Sequence, residues 1–375
     1  MADVQIRQIQ KRRDIKRFVR LAWDIYRDDP HWVPPLISEQ MKFLTRGPFF
    51  EIGEAAYFLA YRNGQIAGRI SAHVNRRHNE HYGDRKGFFG FFECVNDPTV
   101  AKALFDASES WLRARGMDTI QGPENFSIYD ECTLLVDGFD SSPVVLLTYN
   151  PPYYAYLIEG CGFARQVDWY AYLMSKRELP LPEKYYRIRD RVRRRPGLVL
   201  RNINMKQFDE EARIIQHIFG TAWSDNWGNW EHLPLTNGQF EHIVGQLKMI
   251  LEPKLVFMAE LDGQPVGFAL SVPDANQALQ KANGRLFPFG ALKIMRQMKK
   301  VKRLRTVVLG VLEEYRNMGI DLALYLETIE VGVALGFEDS ECSLIAATNT
   351  KMRAALEGIG ARVYKTYRLY TKEIG

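Results

Sequence analysis

Thr306-Val-Val-Leu-Gly-Val-Leu-Glu-Glu-Tyr-Arg-Asn-Met-Gly-Ile-Asp-Leu-Ala-Leu-Tyr325 is the stretch on which the reading of this chain turns. Val307, Val308, Leu309, Val311 and Leu312 form a nearly unbroken apolar run, the pattern of a buried strand. The run breaks at Arg316-Asn-Met-Gly319, and Leu322, Tyr325, Leu326, Ile329 and Val333 then recur at helical spacing. A strand feeding a helix through a tight turn rich in glycine and cations is a device for holding an anion. The first N–H groups of a helix lack internal partners and carry the positive end of its dipole. A glycine there lets a phosphate approach the main chain.

Outward from this stretch, the chain repeats itself. Val4-Gln-Ile-Arg-Gln-Ile9 alternates like a strand, and Leu198-Val-Leu-Arg-Asn-Ile203 matches it. Ala22-Trp23 is echoed by Ala222-Trp223. Asn63-Gly64 sits between two apolar runs, a strong hairpin signal, and Ala259 to Gly267 repeats the Ala60 to Gly68 pattern. Leu157-Ile-Glu-Gly-Cys-Gly162 matches Ala355-Leu-Glu-Gly-Ile-Gly360, and Tyr172 matches Tyr370. All these pairs are offset by about 200 residues, which predicts two homologous domains in tandem. Each runs strand, helices, hairpin, strand, helix, strand, helix and final strands, a mixed α/β layer around one sheet. The expected boundaries are a first domain over 1–178, a linker over 179–197 with prolines and an arginine run, and a second domain over 198–375. A solvated connecting helix is the expected form of the arginine run.

The strand–turn–helix resembles the acyl-CoA signature of the GNAT acyltransferase superfamily, V-x-P-x-Y-R-x-x-G-x-G/A-x-x-L. Val311, Tyr315, Arg316, Gly319, Ala323 and Leu324 occupy or neighbour its places, with Glu313 at the proline and Asp321 at the last small residue. The resemblance extends over nearly the whole chain, once per half, and to a poorly characterised bacterial group of tandem GNAT-like proteins. It implies a strand that splays from its neighbour, with Leu309, Gly310 and Val311 along the thioester. It also implies that the backbone from Arg316 through Asn317, Met318, Gly319, Ile320 and Asp321 to Ala323 holds the pyrophosphate. Asn349 matches the asparagine that touches the pantetheine arm, and equally reads as a helix N-cap. The carboxylate of Asp321 opposes a phosphate unless it points away.

Amine acylation also needs a proton acceptor and a proton donor. Glu313, with Glu314 beside it, follows the key strand where the family often places a carboxylate. The family's usual tyrosine falls at Leu356, and Tyr364, Tyr367 and Tyr370 lie just beyond, as acid candidates or as core. In the first half, Gly87-Phe-Phe-Gly-Phe-Phe-Glu-Cys94 runs into Val95-Asn-Asp-Pro-Thr-Val-Ala101, where no glycine or arginine stands in the turn. Asp97 there reads as an N-cap followed by Pro98. CoA is therefore expected in the second domain only, with a degenerate first domain that shapes the substrate site. The Asn-, Tyr- and Asp-rich run from Gly122 to Tyr154 suits a substrate face or a packing surface.

The resemblance implies an acyltransferase using acetyl-CoA or another acyl-CoA, most simply for direct N-acetylation of a primary amine on a small molecule or peptide. The alternatives are longer-acyl or aminoacyl transfer from an acidic carrier protein or tRNA, and a non-catalytic CoA-binding scaffold. The basic segment Lys281 to Arg305 contains no acid. It suits a solvated amphipathic helix, a membrane surface, an acidic carrier or the 3′-phosphate of CoA.

Composition narrows the rest. The chain has 375 residues and a net charge of +5, too mild for a dedicated nucleic-acid binder. Cys94, Cys132, Cys161 and Cys342 are scattered without C-x-x-C spacing, which argues against zinc and a disulfide scaffold. With no signal-peptide pattern and no apolar span, a cytoplasmic protein without transmembrane segments or metal is expected.

Overall fold

The computed structural model describes residues 4–223 and 233–375. The chain opens with β1 (Val4–Ile9), α1 (Arg12–Arg20), the single turn α2 (Ala22–Ile25) and α3 (Ile37–Arg46). The hairpin of β2 (Gly53–Arg62) and β3 (Gln65–Asn75) leads through α4 (Arg76–Tyr82) to β4 (Lys86–Cys94) and α5 (Pro98–Arg113). Then come β5 (Thr119–Gly122), β6 (Leu134–Asp137), α6 (Tyr154–Gly160) and β7 (Ala164–Ser175). After α7 (Glu183–Arg193) the plan restarts with β8 (Leu198–Asn202), α8 (Phe208–Trp223), α9 (Asn237–Lys248) and the hairpin of β9 (Val256–Leu261) and β10 (Gln264–Pro273). The short α10 (Asn276–Leu279) and α11 (Gly290–Met298) precede β11 (Arg303–Val311). The chain closes with α12 (Ile320–Ala334), β12 (Asp339–Ala346), α13 (Thr350–Gly358) and β13 (Arg362–Glu373).

Local chemistry accounts for many of these starts and stops. Asn63 and Gly64 both adopt positive φ, as do Asp262 and Gly263, the requirement of a tight hairpin turn that few residues besides Gly and Asn or Asp meet at low cost. Asp97 caps α5 by accepting from the Thr99 N–H at 2.9 Å, with Pro98 next. Thr236 and Gln239 form a reciprocal capping box on α9.

Two compact units result, and they do not follow chain order. One comprises Met1–Asp168, Asn276–Gln297 and Lys365–Gly375; the other comprises Trp169–Ala275 and Met298–Tyr364. In the first, the strand order is β1-β2-β3-β4-β5-β13, antiparallel except for the parallel pair β4–β5, with β6 also beside β13. In the second it is β8-β9-β10-β11-β12-β7, antiparallel except for β11–β12. Each unit thus takes its last strand from the other half of the sequence. Residues 169–178, which chain order assigns to the first domain, lie in the second unit, and Lys365–Gly375 lies in the first. The arginine-rich connector folds as α7 within the second unit. There it buries Val192 and pairs Arg193 with Glu327 at 3.0 Å on α12.

The first unit's core sets Phe58, Ile70, Phe89 and Phe92 of the sheet against Val100, Leu104 and Phe105 of α5. The second sets Phe257, Ala269 and Val311 against Ile320, Ala323 and Leu324 of α12. Leu324 is fully buried. Leu324→Ala is expected to cost about 2–5 kcal/mol of stability.

Candidate functional site

In the second unit, β11 pairs with β10 along its length, but the register jumps between Leu270↔Val308 and Ser271↔Thr306. Val307 is the extra residue, a β-bulge. On its other side β11 pairs with β12 over four parallel positions, Arg303↔Asp339 to Thr306↔Cys342, and no further. β12 instead continues along β7 to Ala346↔Trp169. Beyond Thr306, β11 and β12 therefore diverge. The Leu312 N–H bonds the Val266 carbonyl at 2.9 Å, so the alternation of an antiparallel ladder turns the Leu309 and Val311 amides away from β10 into this opening. Among the described residues no side chain hydrogen-bonds either amide.

The strand then enters the turn. Glu313–Tyr315 form a short 3-10 turn, Arg316 is extended, and Asn317 (φ +68°) and Gly319 (φ +77°) are left-handed. Gly319 is the N-cap of α12 and offers no side chain to it, leaving the first-turn amides beyond reach of an internal partner. A Cβ at Gly319 would also stand 3.1 Å from Val192 and 3.3 Å from Ile188 on α7, so glycine is required by both φ and packing. The Arg316 guanidinium donates to the Ala222 carbonyl at the end of α8 at 2.7 Å. That side chain therefore ties the turn to a helix C-terminus, leaving the main chain as the donor set. Asp321 is exposed in the first turn of α12, and Met318 packs against the core. Asn349 caps α13, its side chain accepting from the Met352 N–H at 3.2 Å.

The two sheet faces at β11 differ in chemistry. Leu304 faces α12, where a Cβ on Gly332 would meet it at 2.9 Å. Strand alternation puts Arg305 and Glu341 on the opposite face. Glu341 is fully buried, with Arg305 Nε 4.0 Å away, too far for a hydrogen bond. Among the described residues, neither of its oxygens has a hydrogen-bond partner of ordinary geometry. Burial pushes its carboxyl up to about 7, against the pull of Arg305 and the neighbouring Ser343 hydroxyl. Sequence reasoning passed over this residue, which follows Glu338 and Asp339 in an acidic start to β12 and carries no motif that sets it apart from them. The Tyr364 ring lies 6.0 Å from the Arg303 guanidinium, on this side of the sheet. On the α12 side, the Tyr325 hydroxyl reaches Met352 Sδ of α13 at 3.1 Å, and burial raises its pKa.

The other expected residues have different settings. The Glu313 side chain is 70% exposed, 3.9 Å from Arg316. Leu356, the family's tyrosine position, is buried in an apolar cluster with Leu326 and Ile359. Tyr370 belongs to the first unit, where its hydroxyl donates to Glu159 at 3.1 Å and burial pushes it up to about 12.

The first unit has the same device with its donors taken. β4 and β5 pair only from Lys86↔Thr119 to Phe88↔Gln121, and the β3–β4 register also shifts. Here the chain fills the opening itself. The Phe91 amide donates to Asn125 at 2.7 Å, and the Cys94 amide to the Tyr154 hydroxyl at 2.9 Å. The Tyr153 hydroxyl donates to the Cys94 carbonyl at 2.8 Å. A Cβ on Gly90 would overlap the Glu124 carbonyl. At the helix start, the Asp97 carboxylate itself accepts from the Thr99 amide of the first turn and also pairs with Arg62.

No family model matches the chain. It is 36% identical to Protein YghO of Escherichia coli (strain K12), across 98% of this chain and 95% of that one. It is 34% identical to a bacterial ceramide synthase of Caulobacter vibrioides, across 100% and 98% of the two chains. Among solved structures, a tandem GNAT protein from the clavulanic acid biosynthesis pathway superposes with a TM-score of 0.57 at 12% identity, over 100% and 99% of the chains. A GCN5-related N-acetyltransferase from Sphaerobacter thermophilus gives 0.52 at 15% identity, over 99% and 96%.

Proposed function

The chain belongs to the GNAT superfamily, in the tandem group it shares with Protein YghO and a bacterial ceramide synthase, and on that premise we propose that its second unit binds an acyl-CoA and transfers the acyl group to a primary amine. The observation that carries this reading is the contrast between the two units. The β4 edge and the start of α5 are filled by Asn125, Tyr154 and Asp97, whereas among the described residues no side chain takes the Leu309 and Val311 amides of β11 or caps the start of α12. In this reading the α12 turn takes the pyrophosphate, and the Leu309 and Val311 amides face the thioester carbonyl, where they stabilise the oxyanion.

Transfer is direct. The amine lone pair attacks the carbonyl, the C–N bond forms and the C–S bond breaks. Glu341 accepts the proton the amine loses, and Tyr325 returns one to the thiolate. A raised carboxyl pKa suits a base working near neutrality, and a raised phenol pKa keeps the donor protonated.

Acetyl-CoA is the donor the family resemblance suggests first. The full-length likeness to a bacterial ceramide synthase supports the other branch, a longer acyl chain and an amine carried by a long-chain amino alcohol. The test follows CoA thiol release and amide mass with acetyl-CoA or palmitoyl-CoA as donor, and a small amine or sphinganine as acceptor. Amide from the palmitoyl-CoA and sphinganine pair alone is expected. Acetylated small amine would favour the shorter donor, and no amide from any pair would contradict acyl transfer.

A further inference from the structure

The segment between β10 and β11 has a firm root and a bare tip. At the root, Trp23 Nε1 donates to Asn283 at 2.9 Å, Gln280 donates to the Pro30 carbonyl at 2.7 Å, and the Ile37 amide donates to the Gly284 carbonyl at 3.1 Å. Gly284 packs so closely that a Cβ would stand 2.4 Å from the Trp23 ring. At the tip, Phe287 is 84% exposed, Phe289 67%, Met295 60% and Leu292 42%. Most of the other large apolar side chains exposed on the described surface stand singly, such as Met249 and Tyr156, and single exposure is ordinary.

On α11, Leu292 and Met295 are three residues apart and form one outward row. Lys293 and Arg296 form the adjacent row, also exposed. Arg285 and Lys281 are exposed just before them, and Lys299 and Lys300 just after. No Asp or Glu occurs between Asp274 and Glu313. Nothing on this segment neutralises its cations, and a tight turn holds its aromatic residues out in solvent.

We propose that the 285–298 segment docks on an anionic lipid surface, with Phe287, Phe289, Leu292 and Met295 immersed among the acyl chains and Arg285, Lys293 and Arg296 against the headgroups. Charge complementarity selects the anionic surface, and bare phenylalanines beside a cationic row are the composition of an interfacial anchor. A single helix of this length lies in the plane of the interface and does not cross it. The inference stands on the segment alone and does not depend on the acyl-transfer reading.

Cosedimentation of the full chain with vesicles tests it. Vesicles of phosphatidylcholine alone are compared with vesicles containing phosphatidylglycerol, at low and high salt. Binding to the phosphatidylglycerol vesicles at low salt, weakened by added salt, is expected. Lys293→Glu with Arg296→Glu should weaken it by about thirtyfold or more. Phe287→Ser with Phe289→Ser should also weaken it while leaving the thermal midpoint unchanged. A Phe289→Trp chain should show a blue-shifted emission on these vesicles, a readout that needs no loss-of-binding variant. No binding to either vesicle, unchanged binding by both double variants, or capture by a purified acyl carrier protein in place of vesicles would overturn the proposal.

Discussion

Two carboxylates, Glu341 and Asp321, bear most directly on the proposed chemistry of the second unit. Glu341 is held near 7 because burial disfavours its charge, so the deprotonated base accumulates as pH rises through that value. Activity should climb with pH through about 7 and level off. Glu341→Gln should erase that limb and lower kcat roughly a hundredfold or more. A stability signature accompanies it. Between the ordinary glutamate value and 7, the folded chain keeps a proton that the unfolded chain has released, so this residue's contribution falls as pH rises across that window. The thermal midpoint of the Gln variant should lack that component. Asp321 shows the opposite balance. Exposed at the start of α12, it favours the helix dipole but opposes a phosphate in the same turn. Asp321→Asn should cost about 0.3–1 kcal/mol of stability and tighten acyl-CoA binding, read by calorimetry.

Legibility at this scale followed local chemistry. The turn at Arg316 to Gly319 was readable because the apolar strand run stops there and helical spacing follows, whereas the left-handed φ of Asn317 is a finding of the structure. The Arg316 side chain was not, since its partner, the Ala222 carbonyl, lies far away in the sequence. Glu341 had no motif around it; its character comes from burial and from Arg305 on the next strand, neither of which is encoded in neighbouring residues.

At the scale of elements, the site depends on where a ladder stops. β11 and β12 separate after Thr306 and Cys342, and Val307 bulges at that point. Leu309→Pro tests this directly. The Leu309 amide points away from β10, so proline removes a site donor without removing a ladder bond. The variant should keep its fold by circular dichroism and lose acyl-CoA binding. In the first unit, Asn125→Ala should cost about 1–3 kcal/mol by stranding the Phe91 amide, without creating a second binding site. The hairpins at Asn63-Gly64 and Asp262-Gly263 and the cap at Asp97 were legible in sequence, since turn and cap chemistry is written in adjacent residues. The placements of β7 and β13 were not. An apolar alternating strand carries no mark of which sheet it will join.

At the scale of the whole molecule, the repeat offset of about 200 residues describes two like folds, while the exchange of β7 and β13 gives each unit a piece of the other half. A chain cut to 1–178 lacks β13, and one cut to 198–375 lacks β7, each an integral strand of its sheet. Neither fragment alone should show a cooperative thermal transition, whereas the intact chain should.

The central claim is that one of two similar folds holds the acyl donor. Hydrogen–deuterium exchange of the full chain with and without saturating acyl-CoA tests it most directly. Protection is expected in peptides covering Leu309 to Ala323, with none in those covering Phe88 to Ala101. Protection of the β4–α5 peptides instead, or of neither set, would contradict it.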